Sequence, residues 1–158
     1  MSSSKIYCID TSSLIAAWQE RYPIENFPVF WKKVDELISQ SRLVAPTDVL
    51  HEITKKSAEL QKWLKQRSQM FRELDDQTQI EAGNILQAFP RLVAEKKVRT
   101  SEDTFVIALA RVGGLQIVTD EKPTGKQERP NIPDVCMALG LTPMRLLDLI
   151  KAEKWIVG

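Results

Sequence analysis

Apolar residues in this chain come as short runs that stop at carboxylates, separated by longer stretches in which apolar positions recur every three or four residues. Residues 5–9 (KIYCI) form such a run, carry Ile and Tyr and stop at Asp10, which predicts a short core strand. Three hydroxyl residues follow, and the pattern predicts a helix from Ser12 or Ser13 with a hydroxyl as its cap. Residues 18–33 (WQERYPIENFPVFWKK) are rich in aromatics and broken by Pro23 and Pro28, so a packed irregular connection is expected there. It leads into a helix with Phe30, Val34, Leu37 and Ile38 on one face. Residues 43–45 (LVA) predict a second strand closed by Pro46, then a helix capped by Thr47 or Asp48. That helix has Val49, Leu50 and Ile53 as its apolar positions, with Glu52 among its first turns.

Residues 55–97 read as mostly helical, with one break near 75–78 (DDQT), another near Pro90 and no internal repeat. Thr100 or Ser101 should cap a helix (SEDTFVIALARV) that turns Val106, Ile107, Ala110 and Phe105 to the core and carries Asp103 at its amino end. Gly113 and Gly114 end it. Residues 115–118 (LQIV) predict a third strand, terminating in Thr119, Asp120 and Glu121. Residues 122–133 (KPTGKQERPNIP) are polar with three prolines and are expected to be a loop. The tail should finish in an amphipathic helix over 144–155 (MRLLDLIKAEKW). Strands alternating with helices predict an α/β fold, a parallel sheet covered by helices on both faces.

At 158 residues the chain fits one domain spanning residues 1–158, and 43% hydrophobic with 27% charged residues excludes a disordered or fibrous protein. Twenty-two basic against twenty-one acidic residues leave a net charge of +1, which argues neither for nor against nucleic acid, because local patches decide binding. Cys8 and Cys136 lie far apart without metal-ligand spacing and read as buried free thiols in a reducing compartment. The start, MSSS, lacks the pattern of a secretion signal, and no stretch approaches the ~20 apolar residues of a membrane span, so a cytoplasmic protein without a membrane partner is expected.

The chemistry lies in the acids. Ligands of a parallel sheet gather at the carboxyl ends of strands, where strand order reverses. Asp10 ends one predicted strand and Asp120 with Glu121 another, while Glu52 and Asp103 sit in the first turns of predicted helices. Carboxylates sharing one pocket repel one another unless a cation compensates them. A hard divalent ion, Mg²⁺ or Mn²⁺, suits such a site and with it phosphodiester hydrolysis. Each acid also has a structural alternative: Asp10 can cap the following helix, Glu52 can pair with Lys55 or Lys56, Asp103 can serve the helix dipole, and Asp120 can start a turn.

Four segments, IDTSSLI (9–15), VLHEI (49–53), EDTFVIALA (102–110) and IVTDE (117–121), together resemble the PIN-domain family, the ribonucleases of VapC-type toxins. The third matches by Asp103, Ile107, Ala108 and Ala110. The stretches 18–33, 55–97 and 126–136 (KQERPNIPDVC) resemble a less characterised PIN subfamily. The resemblance implies a three-layer α/β/α sandwich around a small, mainly parallel sheet of four or five strands. It also implies a metal-dependent endoribonuclease, the toxin of a type II toxin-antitoxin pair, using Mg²⁺ or Mn²⁺ on an RNA substrate, with a cognate antitoxin as partner and homodimers as an assembly. Asp10, Glu52, Asp103 and Asp120 would then form the catalytic metal site, with Glu121 as the second choice at the fourth station and Thr11 and Thr119 supporting carboxylates or a metal-bound water.

Lys55, Lys56, Lys122, Lys126 and Arg129 are candidates for phosphate contact. Trp18, Tyr22, Phe27, Phe30 and Trp31 suit either a stacking or antitoxin-docking surface or, as the commoner use of such residues, sheet packing. The competing function is a non-catalytic PIN-like module that binds RNA or protein. Phosphohydrolases with an aspartate nucleophile want a second aspartate where Ser12 stands, and a dinucleotide-binding domain wants a Gly-rich loop after the first strand.

Overall fold

The computed structural model describes residues 5–90, 102–126 and 130–157. Its four strands are β1 (Tyr7–Ile9), β2 (Leu43–Pro46), β3 (Phe71–Arg72) and β4 (Gln116–Val118), all parallel, in the order β3-β2-β1-β4. The helices are α1 (Thr11–Ala16), α2 (Pro28–Ser39), α3 (Thr47–Lys56), α4 (Ala58–Lys65), α5 (Asp76–Ala88), α6 (Glu102–Gly113), α7 (Ile132–Ala138) and α8 (Leu146–Ala152). Together they make a three-layer α/β/α sandwich. β1 and β2 are buried along their whole length, as a parallel sheet covered on both faces requires, which is why they read as unbroken apolar runs. Tyr7 pairs with Leu43 on one side and Gln116 on the other, and a lone parallel bridge, Val118 to Met144, extends the sheet past β4.

The strand order determines where a ligand can go. The chain builds outward from β1 to β2 to β3, then returns through α6 to lay β4 on the other flank of β1. Strand order therefore reverses between β1 and β4, and the crevice beyond their carboxyl ends is the site this architecture offers. Asp10 and Thr119 stand there, one residue past each strand.

One apolar core runs from Tyr7 to Ile150. Trp31 and Phe30 are each 1% exposed within an aromatic cluster that includes Trp18, Tyr22, Trp63 and Trp155. The Trp31 indole N–H donates to the Tyr22 carbonyl at 2.6 Å. These side chains thus serve sheet packing. At the amino edge of the sheet, Tyr7 donates its hydroxyl to Glu153, which also receives two hydrogen bonds from Arg42 at 3.0 and 2.7 Å. Cys8 and Cys136 are free and buried. No helix among the described residues is long and apolar enough to cross a membrane.

Several local expectations are corrected. The cap of α1 is Asp10, as the structural alternative for that acid has it, and not a hydroxyl of Ser12 or Ser13; its extended backbone and carboxylate suit the position, so the helix begins at Thr11. Pro46 belongs to β2 and precedes α3 without any side-chain cap, so neither Thr47 nor Asp48 plays that part. The connection after α1 is partly helical, because the chain runs on through a π-helical turn, Ala17–Arg21. Within 55–97 the chain breaks at Ser57, which caps α4, and then forms β3, too short at two residues to leave a periodic signal. The loop after β4 ends earlier than expected, since Ile132 and Pro133 open α7, a place where proline's fixed φ and missing N–H are tolerated. The expected cap at Thr100 or Ser101 and the helical reading of 91–97 lie outside the described residues.

Candidate functional site

Asp10 is the most constrained acid. It is 1% exposed, and its Oδ1 accepts the Ser13 backbone N–H at 3.0 Å as the cap of α1. Its Oδ2 accepts the hydroxyls of Ser12 at 2.9 Å and of Thr119 at 2.6 Å. A further hydroxyl crosses between the strand ends, Ser13 Oγ accepting the Asp120 N–H at 2.9 Å, while Thr119 Oγ1 also accepts the Glu121 N–H of its own segment at 3.1 Å. Two strand ends are thereby stapled by hydroxyls around one carboxylate. Among the described residues no cation pairs with it. Burial pushes the Asp10 carboxyl up to about 6 and the charge of Glu121 adds to this, while hydrogen bonds from Ser13 and Thr119 hold it back. A rise of that size means that keeping Asp10 ionised at neutral pH costs on the order of 3 kcal/mol.

The two acids after β4 take different roles. Asp120 spends both oxygens away from Asp10: Oδ2 pairs with Arg21 at 2.7 Å and Oδ1 accepts the Leu146 N–H at 3.0 Å, tying the π-helical turn and α8 to the end of β4. Glu121 accepts the Ile132 N–H on Oε1 at 3.0 Å and lies within electrostatic reach of Asp10. Cys136 records both charges, its thiol being pushed up to about 12 by burial, then by Asp10 and Glu121. Of the two, Glu121 is the one whose field meets that of Asp10.

Glu52 and Asp103 reach the same edge of the sheet by topology. α3 starts directly at the end of β2, and α6 must run against the strands to deliver the chain to β4, so the opening turns of both helices lie at the carboxyl edge. Both acids are buried, at 6% and 8% exposure. Glu52 is already paired with Lys56 at 3.2 Å and Lys55 at 3.9 Å. The hydroxyls of Thr11 and Thr104 are buried and find no hydrogen-bond partner among the described residues. Thr11 adjoins Asp10 and Thr104 adjoins Asp103, so both orphaned hydroxyls are next in sequence to candidate acids.

Among the described residues, no three His, Cys, Asp or Glu side chains come close enough to hold one ion. The donor set therefore does not fit a closed protein cage. It fits a hard cation of the Mg²⁺ kind, which is bound through one or two carboxylates and keeps several waters. Asp10 suits such an ion because it is an oxygen donor whose charge is uncompensated.

The cations are dispersed. Lys55 and Lys56 are exposed beside Glu52, Lys122 is exposed in the wall of a cleft of about 630 Å³ next to Thr119, Asp120 and Glu121, and Lys126 is exposed further along the loop. Arg129 lies outside the described residues. Sequence reasoning foresaw Asp10 as a possible cap but missed the Ser12 hydroxyl as its donor and the Ser13 hydroxyl as the acceptor of the Asp120 N–H. It also missed Arg21, which nothing local marks.

A family model described as Domain of unknown function (DUF4411) matches residues 7–157. No curated protein matches the chain.

Proposed function

The chain belongs to this family, and we propose that it is a metal-dependent endoribonuclease that hydrolyses RNA phosphodiester bonds at a PIN-like acidic site. The observation that carries the reading is Asp10, buried where strand order reverses, surrounded by hydroxyls instead of a cation and pushed up to about 6. Such a carboxylate is costly to the fold and gains from an ion. Asp10, with Glu121 in its electrostatic reach, would hold Mg²⁺ or Mn²⁺ through one or two carboxylates, and Asp103 at the same sheet edge would act on the waters the ion keeps. Glu52 and Asp120 pair with Lys56 and Arg21. When bound, the ion would supply a lowered pKa for its water and neutralise charge building on the phosphodiester.

The chain's own residues do the rest. Ser12, Ser13 and Thr119 fix the orientation of Asp10 and favour its ionised form. The Thr119 hydroxyl donates to Asp10 and accepts the Glu121 backbone N–H, which ties the carboxylate of Asp10 to the backbone that carries Glu121. Lys122 and Lys126 stand on the loop after β4, where an RNA phosphate would pass. Hydrolysis adds the oxygen of water to phosphorus and releases a ribose oxygen, which takes up a proton. From the PIN resemblance, the proposal extends to a toxin held in check by a cognate antitoxin, and to a homodimer.

The test is cleavage of a mixed pool of single-stranded and structured RNA, with Mg²⁺, Mn²⁺ or chelator, by wild type, Asp10→Asn and Asp103→Asn. Cleavage that needs the ion and drops at least about 100-fold in both variants supports the nuclease. The second reading, a non-catalytic binding module, has its own observation: Glu52 and Asp120 are satisfied by cations. Uncut RNA in every arm, with RNA or a partner still bound, would replace the enzyme by the module.

A further inference from the structure

Beside Asp103 the carboxyl edge opens into a second cleft, of about 660 Å³, between α3, the segment before α5, α5 and α6. Asp48, His51, Glu73, Gln79, Thr104 and Phe105 are among its lining residues. It adjoins the candidate site through the chain itself, since Thr104 and Phe105 follow Asp103 and His51 precedes Glu52.

Several features bear on an occupant. The volume lies within the range of small-molecule sites and exceeds what a nucleobase needs. Thr104 lines the cleft and is 2% exposed, and its buried hydroxyl has no partner among the described residues. Gly83 lines the cleft too, and a Cβ there would meet nothing within 4 Å, which leaves that wall open. The carboxylates of Asp48 and Glu73 repel phosphate and accept hydrogen bonds. Phe105, half-buried, offers a ring for stacking.

We propose that this cleft seats a guanine base of single-stranded RNA beside the scissile phosphate, stacked on Phe105 and read by Asp48 or Glu73. Guanine alone presents two parallel donors, N1–H and N2–H, that match the two oxygens of one carboxylate. Adenine and cytosine offer a single amino group, and uracil a single N–H between acceptors. The proposal rests on the nuclease reading for its RNA, but base binding itself needs no cleavage.

The experiment titrates the four 3′-nucleotides into wild type, Gly83→Leu and the double variant Asp48→Asn with Glu73→Gln, followed by calorimetry and amide chemical shifts, and maps RNA cleavage sites in parallel. Guanosine 3′-monophosphate should bind wild type roughly tenfold or more tighter than the uridine nucleotide. The double variant should level that preference. Gly83→Leu sits on an exposed helical position with room for a side chain, should fold as wild type by circular dichroism, and should abolish binding. Equal binding of all four nucleotides, binding of none, or binding untouched by Gly83→Leu would overturn the pocket. Cleavage without guanine preference sinks the pocket and leaves the nuclease, whereas guanine binding without any cleavage keeps the pocket and sinks the nuclease.

Discussion

The two ends of β1 hold carboxylates in opposite ways. At its carboxyl end Asp10 is buried among hydroxyls and an amide, with no cation among the described residues, and burial raises its pKa to about 6. At its amino end Tyr7 meets Glu153, where burial is outweighed by hydrogen bonds from Arg42 and Tyr7 and by the Arg42 charge, so the carboxyl is held below its ordinary value. The second arrangement stabilises the ionised acid; the first penalises it. A fold that wanted only to close its sheet would have used the Glu153 solution twice, so the Asp10 end carries a cost that a bound ion or substrate can relieve.

The sharpest way to break the contrast is the pH dependence of stability, measured on wild type and Asp10→Asn by chemical denaturation from pH 4 to pH 8. Below about pH 4 Asp10 is protonated in the folded protein and costs little. As pH rises from about 4 to about 6 the unfolded chain ionises freely while the folded one resists, so wild-type stability should fall by up to about 3 kcal/mol relative to the variant and then level off. Lost hydrogen bonds to the amide reduce the net gain of Asp10→Asn at pH 7.5 to about 1–2 kcal/mol. Millimolar Mg²⁺ should recover part of the difference in wild type only. A flat difference across this range would mean that Asp10 is not penalised.

Glu153→Gln should give the mirror image. The depressed pKa of Glu153 means that its contribution is present above the unfolded value, about 4.3, and is lost as pH falls toward the folded one. Removing a charge that accepts two bonds from Arg42 and one from Tyr7 should destabilise the protein by about 2 kcal/mol at pH 7, with the deficit shrinking below pH 4. RNA cleavage per folded molecule should not change. A cleavage defect here would tie the amino edge of the sheet to the site and remove the contrast.

The same contrast explains what could be read in the sequence. Parallel strands buried on both faces leave apolar runs, so β1, β2 and β4 were legible, as was the placing of acids at their ends; β3, two residues long and half exposed, was not. Partners were harder to read than positions. Nothing near Asp120 announces Arg21, which lies 99 residues away and is delivered by a π-helical turn. Glu52 and Lys56, four apart on one helix, make a pair that helical spacing does announce. The choice between Asp120 and Glu121 turned on such distant partners.

The smallest expected effect sharpens that choice. The Arg21 side chain is 52% exposed, so its pairing with Asp120 is screened by solvent, and Arg21→Ala should cost well under about 1 kcal/mol of stability. Asp120→Asn keeps an acceptor for the Leu146 amide and loses the ion pair, so its cost should be similar. If Glu121 is the acid that works with Asp10, cleavage by Asp120→Asn should stay within a few fold of wild type while Glu121→Gln loses most of it. The reverse ranking would mean that Arg21 releases Asp120 when substrate arrives, and that the ion pair belongs to the resting state alone.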